Sequence, residues 1–496
     1  MTRSLVVLVV LAGVAHAETR PDYAGKVEAS LLGAPATFDP VAAQTHAEIT
    51  VSELVFDTLY RVELRGAVTP HLASEPPDYD AGKQVARIAI RKGVKFHDGA
   101  TLTPADVAAS LERARRGAGA WALSPIASVR AGSDWVEVTL KAPVDVALML
   151  ALAPSAITRH GKAPGAKPSG TGPFELEVID RAGGKLVLKA FEDHFAGRPY
   201  INQLVLRWHD KTDAEPSRFQ TDESQLSARG VAAFAGGQPK FRASFVNAPN
   251  SVLVFVGFGG KHASVTGDLG FRRALDFALD RGALTSVNRG EGVAPAGEPV
   301  PAEAGGAQPS LVVRNGDLGQ ARAALTEAGT RVGALAQANL PQLTLEIAFE
   351  ITRPDDREIA ERVARALGKL GIAASLAGVS AVELRDRATR GTTDLWIGQL
   401  AAPVRRGTQW PWWSAAFALA GSSWGATQLA SGDLVDPKGH AAAQKEFAAK
   451  KPFLPLMFRG IKMWHRTDLH GLRFDATGRA CFAELYVWGS PVRTKP

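Results

Sequence analysis

"LTLEIAFEITRPDDREIAERVARALGKLGIAASLAGV", residues 343–379, changes its hydrophobic period and then returns to it. Leu343, Leu345, Ile347, Phe349 and Ile351 fall on one face of an extended segment with Thr344, Glu346 and Glu350 opposite, which predicts a half-buried strand. After "TRPDD" the apolar residues Ile359, Val363, Leu367 and Leu370 recur every three or four positions, so a helix follows, with Gly371 as its C-terminal cap. "IAASLAGV" reads as a second strand. A strand, a helix and a strand in this order predict a parallel pair with a crossover helix, because parallel strands cannot be joined by a tight turn. The fold class is therefore mixed α/β.

Working outward, "FRRALDFALDRGAL" (271–284) aligns Phe271, Leu275 and Ala278 along a helical stripe, and "LGQARAALTEAG" (318–329) predicts a helix ending at Gly329. Upstream, Ala86, Ile88 and Ile90 alternate with Val85, Arg87, Ala89 and Arg91. "KG" at 92–93 and "HDG" at 97–99 supply turns. Thr103-Pro104-Ala105-Asp106 offers a hydroxyl N-cap, a proline at the first helical position and an acid at the third. Each of these residues has a structural task, so His97 and Asp98 read as turn residues and not as an acid/base pair. Segments 160–173, 209–240 and 290–309, dense in Gly, Pro and small polar residues, mark boundaries, and Trp410–Trp413 reads as a further irregular stretch.

The length of 496 residues, 46% of them hydrophobic, suits two or three domains. The net charge of +7 is dispersed along the chain, which argues against nucleic-acid binding, since that needs a clustered basic footprint. Residues 1–17 combine Arg3, the apolar run Leu5–Val14 and Ala15-His16-Ala17, and are expected to be a secretory signal cleaved before Glu18. Val14 stands where a lipoprotein signal needs cysteine, so no lipid anchor is expected. Cys481 is the sole cysteine, which rules out an internal disulfide. The eleven histidines are scattered without ligand spacing, and neither a metal nor a cofactor is expected.

"ATFDP" (36–40), "VFDTLYR" (55–61), "LRGAVTPHLAS" (64–74), "IRKGVKFHDGATLTPADVAASLERA" (90–114), "GTGPFEL" (170–176), "FEDHFAGRPYINQLVLR" (191–207) and "FRRALDFALDR" (271–281) occur in one order. This ordered set resembles the family 5 extracellular solute-binding proteins, the dipeptide- and oligopeptide-binding components of ABC importers. The resemblance implies a two-lobed periplasmic-binding-protein-like fold (type II, cluster C-like) with an extra inserted domain. By analogy one lobe comprises 18–58, 167–265 and 467–496, the inserted domain 59–166, and the second lobe 266–466. It further implies a monomer in the periplasm, no catalysis, a peptide or peptide-like solute in the cleft, and permease subunits at the inner membrane as partners.

In peptide binders of this family an aspartate near a small strand pairs with the peptide's ammonium group. Here "DLWIGQLAAPVRRGTQWPWW" (394–413) has Ala401-Ala402 in its place, and a buried ammonium lacking a carboxylate costs several kcal/mol. Arg405 and Arg406 would suit a carboxylate or phosphate. Trp410, Trp412 and Trp413 offer aromatic faces, with Trp396 and Trp424 near them in sequence. Phe38 of "ATFDP" and Gln399 complete the ligand-binding candidates. Two alternatives stand beside the importer reading: a serine hydrolase using Ser423 in "GSSWG" (421–425), with Asp433, Asp436 and His440 downstream, and a sensory binding protein independent of a transporter.

Overall fold

The structure, a computed structural model, describes residues 23, 25–211, 214–228, 242–284, 286–287, 293–304, 316–332, 343–405 and 409–487. The expected signal segment 1–17 and Arg406 lie outside the described residues. Strand Thr344–Glu350 runs parallel to Ala373–Val379 from Thr344↔Ala373 to Glu350↔Val379, with helix Pro354–Lys369 as the crossover. Pro354 opens that helix and Asp355 and Asp356 meet its positive end. Gly371 (φ +79°) turns the chain out of it, and the Ile372 N–H donates to the Leu367 carbonyl. A second crossover, helix Ala381–Arg390, delivers strand Leu395–Ala401 to the other edge of Thr344–Glu350, again in parallel. Flanked on both sides, Thr344–Glu350 buries Ala348 and Glu350 as well as Ile347 and Phe349, whereas Ile351 lies past its end and is 39% exposed.

Among the described residues the chain forms a seven-stranded, a six-stranded and a four-stranded sheet and two two-stranded ribbons. The six-stranded sheet runs Val293–Pro295, Phe453–Arg459, Val252–Phe258, Leu395–Ala401, Thr344–Glu350, Ala373–Val379. The seven-stranded sheet centres on Lys26–Ser30, which pairs in parallel with Gln203–Arg207 and Leu226–Ser227, and gathers Phe174–Asp180, Lys185–Ala190, Ala243–Asn247 and Lys462–Arg466. Its core sets Val27, Leu186, Leu188, Leu204 and Leu206 against Leu54 and Phe56. The chain crosses between the two sheets at 248–251 and 460–461. These crossings lie side by side, the Ala248 N–H donating to the Ile461 carbonyl at 2.7 Å. Val252–Phe258 thus belongs to the six-stranded sheet and Lys462–Arg466 to the seven-stranded one, because ladder pairing with 395–401 and 243–247 decides their membership.

The four-stranded antiparallel sheet (Asp78–Asp80, Val85–Ala89, Trp135–Leu140, Ile126–Ala131) carries helix Pro104–Arg116, whose capping box joins Thr103 and Asp106. Gly93 and Gly99 hold positive φ in the two expected turns. The core of this domain runs on into helix Trp410–Leu419, which is apolar nearly all round and buries Trp410, Trp412 and Trp413. That stretch is helical, not irregular: Pro411 falls in its first turn, where a missing N–H costs nothing. Two predicted helices end elsewhere. Segment 271–284 breaks after Ala278 into Leu269–Ala278 and Arg281–Leu284, and Leu318–Val332 continues past Gly329.

Candidate functional site

Strands Val252–Phe258 and Leu395–Ala401 lie antiparallel with Phe255 opposite Gly398 and Gly257 opposite Trp396. A Cβ on Gly257 would meet the Trp396 ring at 2.2 Å, and one on Gly398 would meet Phe255 at 2.2 Å and Trp396 at 2.4 Å. The glycines give the two aromatics room to lie across the sheet, where they pack edge to face at 5.0 Å. They form part of the wall of a cavity of about 510 Å³. Ala34, Ala36, Gln44, Thr45 and Glu48 close it from the first lobe, and Glu350, Arg353, Leu384, Arg385 and Gln399 from the second.

Charge on these walls is arranged in pairs. Glu48 is the third residue of helix His46–Val55 and completes the capping box with Thr45. Its Oε2 accepts the N–H groups of Gln44 and Thr45, its Oε1 that of Ala36, and Arg385 Nη2 reaches both oxygens at 2.6 Å. Glu350 accepts the Ala34 N–H at 2.8 Å and the Thr352 hydroxyl, and lies 3.3 Å from Arg353 Nε. Arg353 also binds Asp356 at 2.6 Å and the Ile397 carbonyl at 3.0 Å. Burial works against the Arg353 charge, but the Asp356 and Glu350 carboxylates outweigh it and hold the guanidinium protonated. Arg272 differs. It donates to the carbonyls of Thr266, Lys450 and Lys451 and lies over the Phe258 ring at 4.6 Å. Among the described residues no ion pair joins it to a carboxylate, and burial lowers its pKa. Three arginines therefore face two glutamates in this wall.

Contacts tie the lobes together across the cavity: the Ala34 N–H donates to Glu350 and to the Thr352 hydroxyl, the Ala401 N–H to the Gln44 carbonyl at 3.1 Å, and Arg385 pairs with Glu48 and donates to the Ala42 carbonyl at 2.8 Å. A second cavity of about 370 Å³ shares Gln44, Ala418 and Gly421 with the first and reaches the inserted domain at Gly117–Trp121 and Ala151–Pro154.

Of the residues singled out in the sequence, Gln399 lines the first cavity. Phe38 packs against the first-lobe core under Arg181, 5.3 Å from its guanidinium. Arg405 is turned to the inserted domain, paired with Asp145 at 2.9 Å and stacked on Gly66. Trp410, Trp412 and Trp413 are interdomain core: Trp412 donates to the Pro403 carbonyl at 3.0 Å and packs on Phe458, and Trp413 packs on Phe447. Their area is consumed by the contact between lobe and inserted domain, so none lines the cavities described here. Trp396 lines the first cavity, and the glycine alternation "WIG" facing "FVG" was the sequence signal for its placement. Glu48 was legible as the last residue of the Thr45–Glu48 capping box; Arg385, Arg353 and Glu350 carried no local signal.

The hydrolase alternative fails on its context. Ser423 lies in the turn between helices Trp410–Leu419 and Trp424–Ala430 rather than between a strand and a helix. Among the described residues no group of three or more His, Cys, Asp or Glu side chains is placed to hold a metal ion. His465 binds the Arg466 carbonyl and His470 stacks on Tyr486. His97 bridges Gly170 and Gly172, a structural role.

Residues 67–416, well over half the chain, match the model of the bacterial extracellular solute-binding proteins, family 5. The chain belongs to this family. This family 5 protein is 24% identical over 286 residues to the oligopeptide-binding protein AppA of Bacillus subtilis, covering 54% of this chain and 52% of that one. It is 30% identical over 194 residues to the uncharacterized protein YhjP of the same organism, covering 38% and 33%. The chain thus matches a third to about half the length of these curated relatives. Its fold is the two-lobed one of solved binding proteins: AppA of Bacillus subtilis in complex with a nonapeptide (TM-score 0.76, 19% identity, 95% of this chain and 100% of that one) and DppA of Helicobacter pylori with the peptide STSA (TM-score 0.79, 17% identity, 94% and 99%). Among the described residues no helix is long and apolar enough to cross a membrane.

Proposed function

We propose that this family 5 protein captures a peptide or peptide-like solute between its lobes and delivers it to the permease of an ABC importer. The observation that carries this reading is the 510 Å³ cavity whose walls come from both lobes and whose edges are joined by contacts between them. Such a cavity is filled by opening and closing about the paired crossings at 248–251 and 460–461, and closure presents a changed surface to a permease. The aromatic wall of Phe255, Phe258 and Trp396 suits an apolar side chain or ring. Arg272, which no ion pair joins to a carboxylate among the described residues, suits a solute that brings one. No covalent step is required, and the site residues act by contact alone.

The same reading makes the chain a periplasmic monomer, with residues 1–17 removed on export. It divides the remainder as expected from the sequence, with the lobe boundaries moved to 248–251 and 460–461, and with 59–166 as the inserted domain. Native mass spectrometry of the protein freshly isolated from its secreting host tests the proposal: an adduct of small-peptide mass, exchanged by added peptide, is expected. Absence of any adduct, together with no thermal shift across a library of di- to pentapeptides, overturns it.

A further inference from the structure

The second cavity differs in chemistry from the first. Its walls are mostly apolar and come from all three domains, with Ala43, Ala118, Ala153, Ala401, Ala402 and Ala426 outnumbering the polar Gln44, Ser422, Ser423 and Thr477. Glu53 is the one charged residue lining it among the described residues, and that carboxylate is already paired with Arg479. An ammonium group placed here would have no free carboxylate to meet, and water here would find few partners. Gln44, Ala418 and Gly421 line both cavities, which places the two spaces side by side. Arg272, Arg353, Arg385, Glu48 and Glu350 line the first cavity and not the second. A single ligand spanning both must therefore be amphiphilic.

We infer that the solute is held with its charged or polar backbone in the first cavity and an apolar group, an alkyl or aromatic side chain of the same molecule, in the alanine-walled second cavity. The inference rests on the solute-capture reading and narrows it: affinity is set by the apolar group and not by recognition of a free amino terminus. The volume of about 370 Å³ falls within the range of whole small-ligand sites, which leaves room for more than a methyl group. Alanines from three separate domains make up much of its wall, beside the larger Ile49, Trp121, Leu152 and Leu400.

The test is isothermal titration of the full chain with tripeptides of glycine in which one position in turn is Ala, Val, Leu or Phe. At one position affinity is expected to rise about fourfold per added methylene, the equivalent of about 0.8 kcal/mol. Two variants place bulk in the cavity from different domains, Ala118→Trp and Ala426→Phe. Each is expected to flatten that rise, with circular dichroism reporting a folded chain. Affinity independent of side-chain size, or a rise that persists in both folded variants, overturns the inference while triglycine binding leaves the capture reading standing. Failure of every peptide to bind overturns both.

Discussion

Arg385 is the residue on which the cleft's electrostatics turn, because Glu48, 1% exposed, is satisfied by three backbone N–H groups and this one guanidinium. Removing one partner of a buried pair is costly, but the remaining N–H donors and the partial exposure of Arg385 reduce the loss. Arg385→Ala is expected to lower unfolding free energy by about 2 kcal/mol in urea titrations and to weaken solute binding, with Arg385→Lys in between. His46 is a second such residue. Burial pushes its pKa down to about 4, although its ring binds the Gly478 carbonyl at 2.8 Å. The unfolded chain takes up a proton below about 6.5 that the folded chain refuses until about 4, so folding stability falls as pH drops through that window, by about 3 kcal/mol from this residue. His46→Gln removes that part of the acid sensitivity; urea midpoints between pH 4 and 7.5 that lose as much in the variant as in the parent would contradict it.

At the scale of elements, the two central strands of the six-stranded sheet owe the cleft's aromatic wall to glycine. Phe255 and Trp396 lie over Gly398 and Gly257 because no Cβ stands in the way. Gly398→Ala is expected to push both rings, costing about 1–3 kcal/mol of stability as overpacking does, and to reduce solute affinity in titration calorimetry more than it reduces the melting temperature would suggest. The parallel strands 344–350 and 373–379 and their crossover helix were legible, since alternation, helical spacing and Gly371 all agreed. The helix at Trp410–Leu419 was not. An apolar, proline-containing run has no amphipathic period, and only its burial between the second lobe and the inserted domain makes it helical and removes its tryptophans from the cleft.

For the whole molecule the open-to-closed balance is the property that matters. Gly33 (φ +109°) brings the first lobe so near the second that a Cβ there would meet Arg353 Cγ at 2.8 Å and Glu350 Oε1 at 3.0 Å. Gly33→Val is therefore expected to hold the lobes apart, raising the radius of gyration in solution scattering without solute and weakening affinity, because part of the binding free energy must then force closure. An unchanged scattering profile would show that this contact does not limit closure. The apolar junction of the three domains gives the alanines at 401 and 402 a meaning that the resemblance alone could not: they stand in the wall of the second cavity.

By itself the sequence determined the mixed α/β class, the strand–helix–strand units, the capped helix at Pro104–Arg116 and membership in the family, because these depend on short-range period, capping and ordered motifs. Tertiary structure alone decided that Val252–Phe258 joins the six-stranded sheet and Lys462–Arg466 the seven-stranded one, that Arg405 faces Asp145, and that Glu48 meets Arg385 across 337 residues. Those outcomes follow from ladder pairing and charge contacts between distant segments. Such contacts leave no periodic trace in either partner, since each residue is locally ordinary until the fold brings the other beside it.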